Sequence, residues 1–349
     1  MAATTVPDLS EEFTTKSGLV PRVQSTLHRY PYLSPLFVLI VAMIIFTLLN
    51  DRFIRANNLS LMTQQTVIVG TLAIAQTLII LTAGIDLSIG AIMVFGQMMM
   101  ANLAVSSTAS NVSGLASFPA PAAIAAGVLI AIAAGSANGY LIVQFKLPPF
   151  IVTLGTLSIF TALSLILFKA RTIQGPEMPE TLKAMGTGFK VGPFQVVTGV
   201  LVMLALYSIF SYILRNTAWG THVYAVGDDP DAAELSGIST KRVLFSVYVV
   251  SGLIIGIAAW ITIGRVGSAS PNVAPDINLD SITAVVIGGT SLFGGRGTMI
   301  GTLLGALIVT VVKNGLALAG LDQAYRVLAI GTLVIAAVAL DQWIRKVKA

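Results

Sequence analysis

Residues 227–240 read GDDPDAAELSGIST, and four of the chain's fifteen acidic residues (Asp228, Asp229, Asp231 and Glu234) fall within this stretch. The flanking sequence is oily, with apolar runs over 195–214 and 243–264. Each run is close to the roughly 20 residues that cross a bilayer as a helix. A charged island between two such runs reads as a water-facing loop of a protein whose main solvent is lipid.

Composition points the same way. Hydrophobic residues make up 55% of the 349, charged residues 10%, and mean hydropathy is +0.88. Soluble domains carry about 25% charged residues, so this chain lacks the polar surface that water requires. The formal charge of +5 calls for no nucleic-acid partner, because basic residues of a membrane protein gather at its cytoplasmic ends. The absence of cysteine excludes disulfides, thiolate metal sites and cysteine nucleophiles. His28 and His222 lie far apart and show no ligand spacing, so no metal or cofactor is expected.

Further apolar runs lie near 35–50, 60–83, 87–106, 120–143, 150–168, 298–318 and 323–343, with a shorter, Gly-rich one at 279–293. The expected fold is an all-α integral membrane protein, a polytopic helical bundle of about ten transmembrane helices with one short or broken segment. A short segment crosses only where protein or a water-filled cavity satisfies its backbone. Counting it places both termini on one side. Lys and Arg then divide eleven to eight in favour of that side, with Lys313 inside a run. The tail Arg345-Lys346-Val347-Lys348 and the basic residues before the first run assign that side to the cytoplasm. The expected organisation is a cytoplasmic tail over 1–33, a membrane domain over 34–344 and a cytoplasmic tail over 345–349. Residues 1–33 are polar and precede the first apolar run without a small-residue cleavage site, unlike a secretory signal. The 215–242 loop faces the cytoplasm, and the amphiphilic 169–194 stretch faces outward.

The island carries helix boundary chemistry. Asp229 suits the N-cap and Pro230 the first helical position. Asp231-Ala232-Ala233-Glu234 offers a second possible start, with its carboxylates at the positive end of the helix dipole. Gly237 supplies the stop. A helix of about two turns is marginal alone in water and needs something to dock against, unless it serves only as a solvated cap.

Asp231-Ala232-Ala233-x-x-x-Gly237 resembles the Glu-Ala-Ala-x-x-x-Gly core of the cytoplasmic loop of ATP-binding-cassette importer permeases, with Asp for Glu and without the Ile-x-Leu-Pro that follows there. LTAGIDLSIGAIM (81–93), TLGTLSIF (153–160) and VVIGGTSLFGGRGTMIGTLLGALIV (285–309) are similar to segments of the ribose- and fructose-type sugar permeases of that class. The resemblance runs from about 35 to 344. It implies a multi-pass subunit of the bacterial inner membrane that forms the path for a monosaccharide. ATP hydrolysis, and hence any enzyme activity, would reside in separate ATP-binding subunits. An extracytoplasmic sugar-binding protein would deliver substrate, and a second permease copy would complete the path as a homodimer. The residues over Gly227, Asp228, Asp229, Pro230, Asp231, Ala232, Ala233, Glu234 and Gly237 would then form the coupling helix that seats in the ATPase.

Gly289-Thr290-Ser291-Leu292-Phe293-Gly294-Gly295-Arg296 lacks the Lys and Ser/Thr by which a phosphate loop holds phosphate and Mg²⁺; its glycines are read as allowing a break and close backbone approach. Asp86, in Gly84-Ile85-Asp86-Leu87-Ser88-Ile89-Gly90, has two readings, a helix cap assisted by Ser88 or a gate residue on the solute path. Candidate path residues are Asp86, Ser88, Gln97, Asn138, Thr153, Thr290, Ser291 and Phe293. Amides and hydroxyls, Gln64, Gln65, Gln76, Thr156 and Ser158 among them, suit a neutral polyol but equally suit interhelical hydrogen bonds. The runs contain no row of acids or histidines resembling a proton relay, which counts against a secondary carrier. Branched-chain amino acids, nucleosides or an autoinducer on the same scaffold remain alternative cargoes.

Overall fold

The computed structural model describes residues 32–105, 116–174, 178–273 and 276–346. The expected tail over 1–33 thus lies almost wholly outside the described residues, as do 347–349. The chain is mostly helical. In order come α1 (Leu33–Leu49), α2 (Ala56–Leu81), α3 (Ile89–Ala104), α4 (Ala120–Phe145), α5 (Pro149–Phe168), the short α6 (Glu180–Lys183), α7 (Thr198–Asn216), α8 (Ala218–Asp228), α9 (Pro230–Leu235), α10 (Thr240–Val266), α11 (Ile277–Ile287), α12 (Met299–Leu318) and α13 (Gln323–Lys346). Six of these, α2, α4, α5, α7, α10 and α12, are long and apolar enough to cross a membrane, and α1, α3, α11 and the Gln323–Ala336 part of α13 are shorter apolar segments.

α2 is the central helix. It is apolar on all sides and buried continuously from Thr66 to Leu81, as expected of a helix enclosed by others. It packs against α7, α10, α11 and α12, while α4 lies along α10 and α3 wedges between α4, α5 and α10. Small residues set the closest approach: a Cβ on Gly135 of α4 would meet the Tyr248 carbonyl and the Gly252 backbone of α10. Such contacts hold helices together where lipid removes the hydrophobic drive between them. Polar side chains add cross-links, with Tyr207 donating to the Gly70 carbonyl at 2.9 Å and Thr77 bonding Thr302 at 2.8 Å.

The expected all-α bundle carries a few short strands, in and around the 169–194 stretch. β2 (Gly188–Val191) pairs with β3 (Phe194–Val197) in an antiparallel hairpin, and β1 (Ile173–Gln174) pairs with β4 (Ser268–Ala269). The run expected from 195 therefore becomes helix only at Thr198; Val196 and Val197 favour the pleated hairpin, which turns at Gly192 with φ +60°. These strands cap the end of the bundle away from α9, where Gln195 N–H donates to Ser60 Oγ at 2.9 Å and Trp260 Nε1–H to the Thr181 carbonyl at 3.2 Å.

The segment expected to be short is so. α11 covers only 11 residues, about 16 Å at 1.5 Å each, against a hydrocarbon core of about 30 Å. It starts inside the bundle, because Asn278 Oδ1 accepts from Gly90 N–H at 2.7 Å. From there it runs antiparallel to α12, and irregular backbone over 288–298 continues toward the α9 end.

Candidate functional site: a short capped helix beside two helix breaks

The 217–240 loop folds as two helices. α8 is capped by Thr217, whose hydroxyl accepts from Gly220 N–H at 3.2 Å. α9 follows after one residue. Asp229 Oδ1 accepts from Asp231 N–H and Ala232 N–H, both at 3.0 Å, and Pro230 occupies the first helical position. At the other end Gly237 adopts φ +83°, and Ile238 N–H and Gly237 N–H donate back to Ala233 and Glu234 carbonyls. Both ends of a two-turn helix are therefore fixed by local bonds. Thr240 Oγ donates to Glu234, tying α9 to the start of α10. Ala233 is buried under α9 while Leu235 is 91% exposed.

Gly227 and Asp228, expected within the coupling helix, belong instead to the last turn of α8. The extended backbone of Asp229, φ −152°, divides the two helices. Gly227 has a different task. A Cβ there would land on the Leu81 carbonyl oxygen and crowd Gly295 N. Gly295 N–H itself donates to Leu81 O at 3.0 Å, satisfying a carbonyl that the end of α2 leaves unpaired. Gly294 and Gly295, with φ +84° and +69°, adopt the backbone turn this requires and sit against Gly227 and Asp228. Tyr224 Oη donates to the Gly297 carbonyl at 2.8 Å. Burial raises the Tyr224 phenol above its ordinary pKa, with Arg215 partly opposing, so it remains a protonated donor at neutral pH. Trp219 Nε1–H completes the clamp by donating to Ser246 Oγ on α10 at 2.8 Å. Three chain segments, the end of α8, the α2–α3 break and the α11–α12 break, thus meet backbone to backbone just before α9.

A polar cluster lies along the α2–α3 break. Asp86 Oδ1 accepts from Ser88 N–H and Ser88 Oγ–H, both at 2.6 Å. Asn138 Nδ2 donates to Ser88 Oγ at 2.9 Å and Thr153 Oγ to the Ile85 carbonyl at 3.2 Å. Asp86, Ser88, Asn138 and Thr153 are all buried and are brought together. Asp86 is not the N-cap expected for a helix opened by Leu87. α3 begins at Ile89, Ser88 takes the cap position, and the carboxylate holds it two residues earlier. Asn138 stands seven residues before the end of α4, about 10 Å along the axis.

The other path candidates are elsewhere. Gln97 Nε2 donates to the Ser270 carbonyl at 2.9 Å near the opposite end. Thr290, Ser291 and Phe293 belong to the α11–α12 break. Thr290 is buried with its hydroxyl unpartnered, Ser291 Oγ accepts from Phe293 N–H at 3.1 Å, and the Phe293 ring is exposed. Thr290 packs against Gly297, and Ser291 N–H donates to the Arg296 carbonyl at 2.8 Å, within the glycine-rich turn. Tyr248, buried beside Gly84 with no partner for its hydroxyl, was not among the candidates; its only sequence signal is a tyrosine within an apolar run.

Asp86→Leu removes the acceptor from two donors at once, and Asp86→Asn keeps one carbonyl oxygen for them. Transport by the leucine variant is expected to fall at least tenfold and by the asparagine variant only severalfold, read as initial uptake rates at matched membrane levels. Equal rates in the two variants would remove Asp86 from the machinery.

The family described as "Branched-chain amino acid transport system / permease component" matches residues 58–338. The chain belongs to this permease family. It is a multi-pass transporter component of the inner membrane, not itself catalytic. The permease is 45% identical over 335 residues to the fructose import permease protein FrcC of Rhizobium meliloti, covering 95% of this chain and 91% of that one. It is 36% identical to the ribose import permease protein RbsC of Bacillus subtilis (89% and 92% covered) and 32% to the D-allose transport system permease protein AlsC of Escherichia coli K12 (89% and 91%). No solved structure matches the permease.

Proposed function

We infer that this permease is the membrane path of an ATP-driven importer for a monosaccharide of the fructose or ribose type. The cargo reading is carried by the 45% identity to a fructose import permease along 95% of the chain. Ten crossings, α1–α5, α7 and α10–α13 with the 288–298 loop completing α11, put both termini and the 215–242 loop in the cytoplasm and make 34–344 one membrane domain. α9 is the coupling helix. It seats in a separate ATP-binding subunit with exposed Leu235 and the carboxylates of Asp231 and Glu234 outward. Closure of those subunits moves α9, and the backbone junction at Gly227 passes the movement to the α2–α3 and α11–α12 breaks. A second copy of the permease completes the path, and an extracytoplasmic binding protein loads it.

Deleting the gene is expected to reduce uptake of one labelled sugar, fructose or ribose, to background while leucine uptake stays unchanged. Loss of leucine uptake alone would assign the amino-acid cargo of the family description. Sugar flux in vesicles holding the permease without ATP-binding subunits would make it a carrier.

A further inference from the structure

On the side of the bundle away from α9, a cavity of about 260 Å³ opens between α2, α10, α11 and α12. At about 30 Å³ per water molecule, that is room for some eight or nine waters, the scale of one monosaccharide. Its lining is unusually charged for a bundle this apolar. Gln65 of α2, Arg265 of α10, Asp280 of α11, Lys313 and Asn314 of α12, and Arg326 of α13 all face it.

Part of this polarity is used by the fold: Asn314 Oδ1 accepts from Asn58 Nδ2–H at 2.9 Å. Asp280 and Lys313 pair with each other. Among the described residues, Arg265 makes no ion pair and the buried Nε–H of Arg326 has no hydrogen-bond partner. Buried donors are normally satisfied, so a guanidinium left open on a cavity calls for oxygen atoms from outside the chain. The depth is also telling. α11 begins inside the bundle, with Ile277 and Asp280 on the cavity wall. The positive end of its dipole therefore adds to a field that repels cations and favours electron-rich oxygens. Donors outnumber acceptors, yet Asp280 and Gln65 can accept hydroxyl protons, which a polyol supplies and a simple anion does not.

We propose that this cavity is an outward-facing receiving site for a neutral monosaccharide, with Arg265 and Arg326 donating to its hydroxyl or ring oxygens and Asp280 accepting from a hydroxyl. The site rests on the monosaccharide reading above and gives that path a defined first station. A path that takes sugar from a binding protein needs such a station to hold the solute while the protein withdraws.

The chain has no cysteine, so a single introduced thiol reports cleanly. Thr310→Cys on the cavity wall, in the full chain with its ATP-binding subunits in spheroplasts, is treated from outside with a membrane-impermeant maleimide. Labelling is expected, and millimolar fructose or ribose should slow it at least threefold, with glycerol, gluconate and lysine ineffective. Adding Arg326→Ala or Arg265→Ala should leave labelling intact and abolish the protection. Absence of labelling, labelling indifferent to sugars, or protection by gluconate alone would each overturn the proposal, the last by making this an anion site. Sugar uptake by the Thr310→Cys chain, measured in the same cells, separates the two ideas: uptake without protection removes the site and leaves the transport function standing, whereas no sugar uptake by the unmodified chain removes the function itself.

Discussion

Gly227→Ala is expected to abolish sugar uptake, a loss of at least tenfold, although it adds only one methyl group. The added Cβ falls on the Leu81 carbonyl and beside Gly295 N, and both are main-chain atoms. A clash with a side chain can be relieved by a rotamer, but this one requires a helix end to move. The Gly295-to-Leu81 hydrogen bond would open, separating α8 from both helix breaks. Overpacking of this sort costs about 1–3 kcal/mol, so the variant should still insert and assemble, with a modest fall in thermal stability in detergent. Gly237→Ala is the matched control. Its φ of +83° makes a side chain costly, but nothing lies within 4 Å, so the penalty is about 1–2 kcal/mol of backbone strain and uptake should drop only severalfold. Uptake above half of wild type in Gly227→Ala would show that the junction transmits nothing.

Replacing residues 230–236 with a flexible Gly-Ser segment of equal length should have an effect as large by a different route. The bundle's core contains only Ala233 from this helix, so insertion and folding should be unchanged. Co-purification of the ATP-binding subunit should fall to background, because the knob and its fixed ends are gone. Gly237→Arg should give a partial form of the same defect, forcing a non-glycine residue into the left-handed region and adding a cation beside the carboxylates. Undiminished co-purification from the linker variant would move the docking surface elsewhere.

The short helix α9 was legible because its determinants are local. Asp229, Pro230 and Gly237 act on residues two to four positions away, and each took the place its chemistry predicts. The apolar runs were legible for a similar reason, since length and hydropathy suffice to mark a membrane helix. What escaped was the set of contacts between distant segments. Gly227 reads as part of the acidic island; its role appears only when Leu81 and Gly295 are brought against it in space. The Gly-rich 288–298 stretch was readable as a break but not as the partner of α8. Lys313 stood out as a basic residue deep within an apolar run, yet nothing local names Asp280 as its mate or places Arg265 and Arg326 on the same cavity. Asp86 was ambiguous because a carboxylate two residues before a cap and one on a path occupy the same sequence pattern.

The central claim is that α9 stands on the cytoplasmic side, bound to the motor subunit. Glu234→Cys in this cysteine-free chain tests it most directly, by treating intact spheroplasts and inverted membrane vesicles in parallel with an impermeant maleimide. Labelling confined to inverted vesicles, and suppressed there when the ATP-binding subunit is present, is the predicted result. Labelling in intact spheroplasts would contradict the account.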